Sequence, residues 1–114
     1  MPDSKDRDAG VTSQIIVNFE KMLVAGRDSA LLRFGLGNEY FKAADFDSAI
    51  QHFSKAVELD ADYSAAWKML GKCLVEAGRT DDARAAYGKG IVAAQKKGDK
   101  QAAKEMAVFL KRLG

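Results

Sequence analysis

Cysteine occurs once and histidine once in the 114 residues. Cys73 therefore has no partner for an internal disulfide, and a single His with a single Cys makes no cluster at metal-ligand spacing. Neither a metal nor a cofactor is expected. No segment approaches the roughly 18 consecutive apolar residues of a membrane span. Residues 1–10 are polar, mixed in charge and free of any apolar stretch. That excludes a signal or transit peptide, points to a cytoplasmic address, and predicts a tail that is disordered when free. Gly35 and Gly37 form a short G-x-G, but no strand precedes it, so a dinucleotide loop is excluded on context.

The rest of the composition is ordinary for one small soluble domain, with 47% apolar and 30% charged residues. The net charge of +2 conceals an asymmetry: residues 1–63 carry 7 basic and 11 acidic side chains, residues 64–114 carry 11 and 5. The halves therefore stand at −4 and +6. Such a polar molecule can orient a charged partner during encounter, within a screening length of about 8 Å.

The dominant signal is a repeat. Leu36, Gly37, Tyr40, Ala49, Phe53 and Ala56 recur 34 residues later as Leu70, Gly71, Leu74, Ala83, Tyr87 and Gly90. A unit of that length is one helical hairpin that cannot bury its apolar face alone and must stack on a neighbour. Leu31, Leu32, Phe34, Leu36, Tyr40 and Phe41 mark the first helix of one hairpin, and Ala49, Ile50, Phe53, Ala56 and Val57 its second, each near a 3.6-residue period. Asp45 is a candidate cap between them. Ser64 opens the next hairpin, which turns at residues 77–80. There Gly78 can take a left-handed conformation, and Thr80 or Asp81 can cap the second helix of that hairpin.

These residues resemble the tetratricopeptide repeat. Trp67, Leu70, Gly71, Gly78, Ala83 and Tyr87 stand at the places of its signature in the second unit. Leu36, Gly37, Tyr40, Ala49, Phe53 and Ala56 do so in the first, with Arg33 and Ala61 where the family expects Trp and Pro. The stretches LLRFGLGNEY and YSAAWKMLGK are similar to small free-standing bacterial members. The resemblance implies an all-α superhelix of antiparallel hairpins, about six helices. Its parts are a half repeat over 12–29 with Ile15, Phe19 and Met22 facing inward, repeats over 30–63 and 64–97, and a capping helix over 99–113 after a slightly lengthened loop. Gly37, Gly71, Ala49 and Ala83 are expected where helices approach closely.

The inventory for catalysis is thin, and no enzyme is expected. His52 is predicted to point outward as a solvated side chain, and Cys73 to be a small buried packing residue. Asp45, Asp47, Asp81 and Asp82 fall at helix starts, where they complement the macrodipole. The resemblance places a peptide-binding surface on the concave face: Phe34, Asn38, Phe41 and Lys42 in the first unit, Lys68, Lys72, Val75 and Glu76 in the second. Lys104, Val108 and Lys111 would continue it on the last helix. One end is aromatic and the other basic, which suits a protein or peptide with an apolar anchor and an acidic or carboxylate group. Phe34 and Met69 replace the Lys and Asn with which some relatives grip a chaperone's terminal carboxylate, so that ligand is not expected despite Asn38. Lys97, Lys100, Lys104 and Lys111 read as the wet side of an amphipathic helix, not a nucleic-acid or membrane surface. A monomer is expected. The alternative is a homodimer through the N-terminal helix, with Val17 and Val24 on its outer side.

Overall fold

A computed structural model describes the backbone of residues 4–114 and the side chains from Thr12 onward. It contains six helices and, among the described residues, no strand: α1 (Ser4–Val24), α2 (Ala30–Lys42), α3 (Phe46–Leu59), α4 (Ser64–Glu76), α5 (Thr80–Lys96) and α6 (Lys100–Arg112).

Local chemistry accounts for the boundaries. Ser29, Asp45 and Asp99 each accept a hydrogen bond from the backbone N–H three residues on, which caps α2, α3 and α6. Each such cap is worth about 1 kcal/mol. Gly26, Gly78 and Gly98 take positive φ after α1, α4 and α5, and Ala44 takes φ 58° after α2. Ala44 and Gly78 are 34 residues apart, so the first repeat holds an alanine in the strained position that the second fills with glycine.

Three expectations are corrected. α1 starts at Ser4, so residues 4–10, read as tail, are its first turns, while residues 1–3 lie outside the described residues. A helix once nucleated adds one hydrogen bond per residue, and Lys5, Arg7 and Ala9 are good helix formers. Arg79, rather than Thr80 or Asp81, is the N-cap residue of α5, and it makes no side-chain cap bond because a guanidinium has only donors; it donates instead to Asp82 at 2.9 Å. The extra length before α6 lies in α5, a 17-residue helix against 14 in α3, and not in the loop. Ala93, Ala94, Gln95 and Lys96 all favour helix, so winding on is cheaper than looping.

Consecutive helices pack in order, and α2 also touches α4, as α4 touches α6. Among the described residues, no corresponding backbone approach joins α1 to α3 or α3 to α5. First helices close up while second helices splay, which bends the stack and makes the α2–α4–α6 side concave. The core runs between the layers: Leu36, Ala49, Phe53, Ala56, Ala66, Cys73, Ala83, Ala94 and Met106 are fully buried. Glycine permits this approach. A Cβ on Gly37 would sit 2.5 Å from the Phe53 ring, and one on Gly71 would strike Tyr87. α1 docks more lightly, with Phe19 lying over Gly35. Ile15 is half-buried but Met22 is 37% exposed, because Leu23 takes the inward place expected of it.

Candidate functional site

The concave side holds a cavity of about 380 Å³ lined by Phe41 from α2, Lys72, Val75 and Glu76 from α4, Tyr87 from α5, and Phe109, Arg112 and Leu113 from the α6 end. Repeat geometry assembles it. Gly71 lets the Tyr87 ring pass beneath α4 to form the floor, where it tilts against Phe109 at 5.7 Å. Phe41 is held from behind by the edge of Phe46, also at 5.7 Å. Lys72 Nζ stands 5.3 Å from the Phe109 ring centroid, a cation over an aromatic face, and Val75 is 37% exposed at the mouth. A cation of this kind keeps its charge available to a partner while its stem covers apolar surface. Two cations, Lys72 and Arg112, face one carboxylate, Glu76, around an apolar floor.

Of the residues named from sequence, Phe41, Lys72, Val75 and Glu76 meet at this cavity. The others are placed elsewhere. Phe34 is half-buried, with its ring edge-on to Phe53 at 5.7 Å and tilted on Tyr63 at 4.9 Å, so it joins α2 to the next hairpin. Asn38 is half-buried on α2, and Lys42 is exposed and paired with Glu39 at 3.1 Å. Lys68 is committed to Glu105 at 3.3 Å across the α4–α6 seam.

On α6 the face turned to α4 carries Glu105, Phe109 and Arg112, whereas Lys104, Val108 and Lys111 are exposed and line no part of the cavity. Met106 is fully buried, and it sets this rotation by filling the space at Gly90. Phe109, Arg112 and Leu113 were missed for that reason, whereas Tyr87 was named only as a signature residue and also lines the cavity from α5. The i, i+4 step from Glu105 to Phe109 was the available signal.

His52 is not solvated. Its side chain is only 12% exposed and its ring stacks on Tyr40 at 5.3 Å, nearly parallel. Arg33 Nη1 approaches His52 Nδ1 at 3.2 Å, so Nδ1 accepts and the Nε2 proton faces Glu20, 3.6 Å away on α1. Tyr40 donates to the same Glu20 oxygen at 3.2 Å, and Arg33 also grips Asp28 with two bonds. Burial lowers the His52 pKa, against the pull of Glu20. Arg33 occupies the place of the repeat's tryptophan, and this polar cluster fastens α1 where Trp67 in the next unit donates to Ala61 O. α1 packs on α2 and reaches α3 through the Glu20 contact to His52.

Cys73 is fully buried and its thiol pKa is pushed up to about 12 by burial and by nearby Glu76. It is a packing residue with no nucleophilic character. Among the described residues no group of His, Cys, Asp and Glu could hold a metal ion, and no helix is long and apolar enough to cross a membrane.

The sequence profile described as Tetratricopeptide repeat matches residues 40–107. A TPR repeat-containing protein of Pseudomonas aeruginosa is 50% identical over 99 residues, which span 87% of this chain and 94% of that protein. The solution structure of a protein from Bordetella parapertussis shares 46% identity with a TM-score of 0.75, covering 87% of this chain and 86% of that one. PcrH in complex with the chaperone binding region of PopD superposes with a TM-score of 0.84 over 92% of this chain and 80% of that one, at 17% identity, a likeness of fold. With its two signature-bearing hairpins and these relatives, the chain belongs to the tetratricopeptide repeat family.

Proposed function

We propose that this chain is a non-catalytic protein-binding scaffold that seats a short segment of another protein in its concave groove. The observation that carries the reading is the cavity between α2, α4 and α6, apolar at its floor and rimmed by Lys72 and Arg112. Such a site takes one apolar side chain into the space above Tyr87 and Phe109. It favours an acidic residue or a carboxylate beside that anchor, where both cations reach it. Glu76 on the same wall selects against an acidic residue placed deeper along α4 and so fixes the direction of the bound segment. A protein of like fold, PcrH, is seen in complex with the chaperone binding region of PopD, which supports protein binding as the role.

Affinity capture from a bacterial lysate, with the native chain beside a Lys72→Glu, Arg112→Glu variant, tests the reading. Both residues are at the rim and neither is in the core, so the variant should fold. The expected result is a partner retained by the native chain and lost by the variant. A partner held equally by both would place the binding surface elsewhere and end the groove proposal.

A further inference from the structure

A second apolar groove lies on the outer side of the stack, away from the concave cavity. It has a volume of about 600 Å³ and runs between the α3–α4 loop and α5, with Ala61, Trp67, Gly88 and Val92 in its lining. Val92 is 64% exposed on a face that covers no other helix of the chain. Trp67 is half-buried, and Lys89 lies over its ring at 5.6 Å. Gly88 has no internal reason to be glycine. A Cβ there would meet nothing within 4 Å and its φ is not positive, whereas Gly35, Gly37, Gly71 and Gly90 each face a side chain. A glycine inside a helix is destabilising relative to alanine.

The charges along this face identify what covers it. Asp81, Ala85, Gly88, Val92 and Lys96 fall at steps of four, three, four and four on α5, one side of the helix from end to end. The order is acidic, small, glycine, apolar, basic. Laid antiparallel on a second copy with Gly88 at the crossing, it pairs with itself: Asp81 meets the second copy's Lys96, and Ala85 meets its Val92. A parallel arrangement would set Asp81 on Asp81 and Lys96 on Lys96. Lys89, the charge nearest the crossing, also lines the groove, where the Trp67 ring takes its ammonium. Asp81 is 96% exposed and Lys96 69% exposed, each bound within its own chain only by a surface pair, to Arg84 and Asp62. Such exposed pairs are weak and leave both side chains free to bridge.

We propose that the outer groove is the interface of an isologous dimer, in which α5 of one copy packs antiparallel on α5 of a second copy across the Gly88–Val92 face. A two-fold interface requires such a self-complementary surface, and the glycine lets the two backbones approach. One helix of 17 residues gives a footprint at the low end of specific interfaces. The dimer is therefore concentration-dependent, and it leaves the concave groove of each copy open.

Sedimentation equilibrium of the full chain from low micromolar to about 1 mM tests this, with circular dichroism melts of each variant as the folding control. The native chain should associate to a dimer, and Val92→Lys should raise the dissociation constant by roughly tenfold or more. Lys96→Asp alone should weaken the dimer by about as much, through two acidic repulsions related by the two-fold axis. Adding Asp81→Lys should restore it. Both charge changes oppose the α5 macrodipole, so recovery in the double variant comes from pairing between copies rather than from a better helix. A monomer at the highest concentration would overturn the proposal. So would a dimer indifferent to Val92→Lys, or one dissociated instead by Val17→Lys with Val24→Lys on α1.

Discussion

Two glycine-to-alanine changes, both inside helices, should move stability in opposite directions. At Gly37 the new Cβ would lie 2.5, 2.6 and 2.8 Å from three carbons of the Phe53 ring, where ordinary contact needs at least 3.4 Å. The ring must retreat by nearly 1 Å, and it has nowhere to go. Phe53 is fully buried, with the Phe34 ring edge-on behind it. Overpacking of this kind costs about 1–3 kcal/mol, and the rigid surround places Gly37→Ala at the upper end. Alanine returns about 1 kcal/mol of helix propensity, so the net loss is about 2 kcal/mol. At Gly88 the Cβ meets nothing, and the same propensity term appears alone as a gain of about 1 kcal/mol. For a chain of this size these figures correspond to a fall in Tm of about 8 °C and a rise of about 4 °C. Thermal melts at low micromolar protein, where association does not contribute, read both. A Gly37→Ala variant as stable as the native chain would refute the close approach of α2 and α3 on which the hairpin geometry rests.

Ala44→Gly should stabilise. Relief of the left-handed backbone at φ 58° is worth about 1–2 kcal/mol, and the added freedom of the unfolded chain offsets part of it, leaving roughly 0.5–1 kcal/mol in a urea melt. Gly78→Ala, the matching position in the second repeat, should lose a similar amount. His52 gives a pH dependence. Its folded pKa is lowered by burial, so below its unfolded value near 6.5 the unfolded chain binds a proton that the native chain refuses. Stability should be full above pH 6.5 and fall as the pH drops below it toward the folded pKa, and His52→Gln should flatten Tm between about pH 8 and 5. The Asp28 pKa is also lowered, by its bonds to Arg33, but its contribution is lost only below its usual value of 3.8, outside that window. With its pKa near 12 and no exposure, Cys73 should react with a thiol reagent only as fast as the chain opens, so modification rates should follow urea concentration.

The 34-residue period was enough to read the hairpins, because the residues it repeats are those that fix helix spacing: Gly37 under Phe53, Gly71 under Tyr87. The groove was half legible. Phe41, Lys72, Val75 and Glu76 were named from the family resemblance and meet at the cavity, while Asn38 and Lys42, the repeat equivalents of Lys72 and Glu76, do not line it. The α6 contribution did not follow, because that helix has no full repeat to align with. Its rotation is set by Met106 dropping into the space at Gly90, a contact between two helices that no local pattern encodes. His52 was misread for a related reason. Its surroundings are Glu20, Arg33 and Tyr40, drawn from two other helices, and Arg33 standing where a tryptophan is usual was the trace of that polar cluster in the sequence. Exposed Val92 and unconstrained Gly88 became meaningful only when the other helical glycines from Gly35 onward had acquired a structural reason.

The most direct test of the account is residue-level mapping of ligand binding. Isotope-labelled protein would be titrated with a short peptide carrying one aromatic anchor flanked by acidic residues, and the backbone amide shifts followed by NMR. The account predicts saturable shifts concentrated at Phe41, Lys72, Val75, Phe109 and Arg112, which weaken as salt is raised and disappear in the Lys72→Glu, Arg112→Glu variant. Saturable shifts confined to α1 or to the outer face of α5, with the concave residues unmoved, would contradict it.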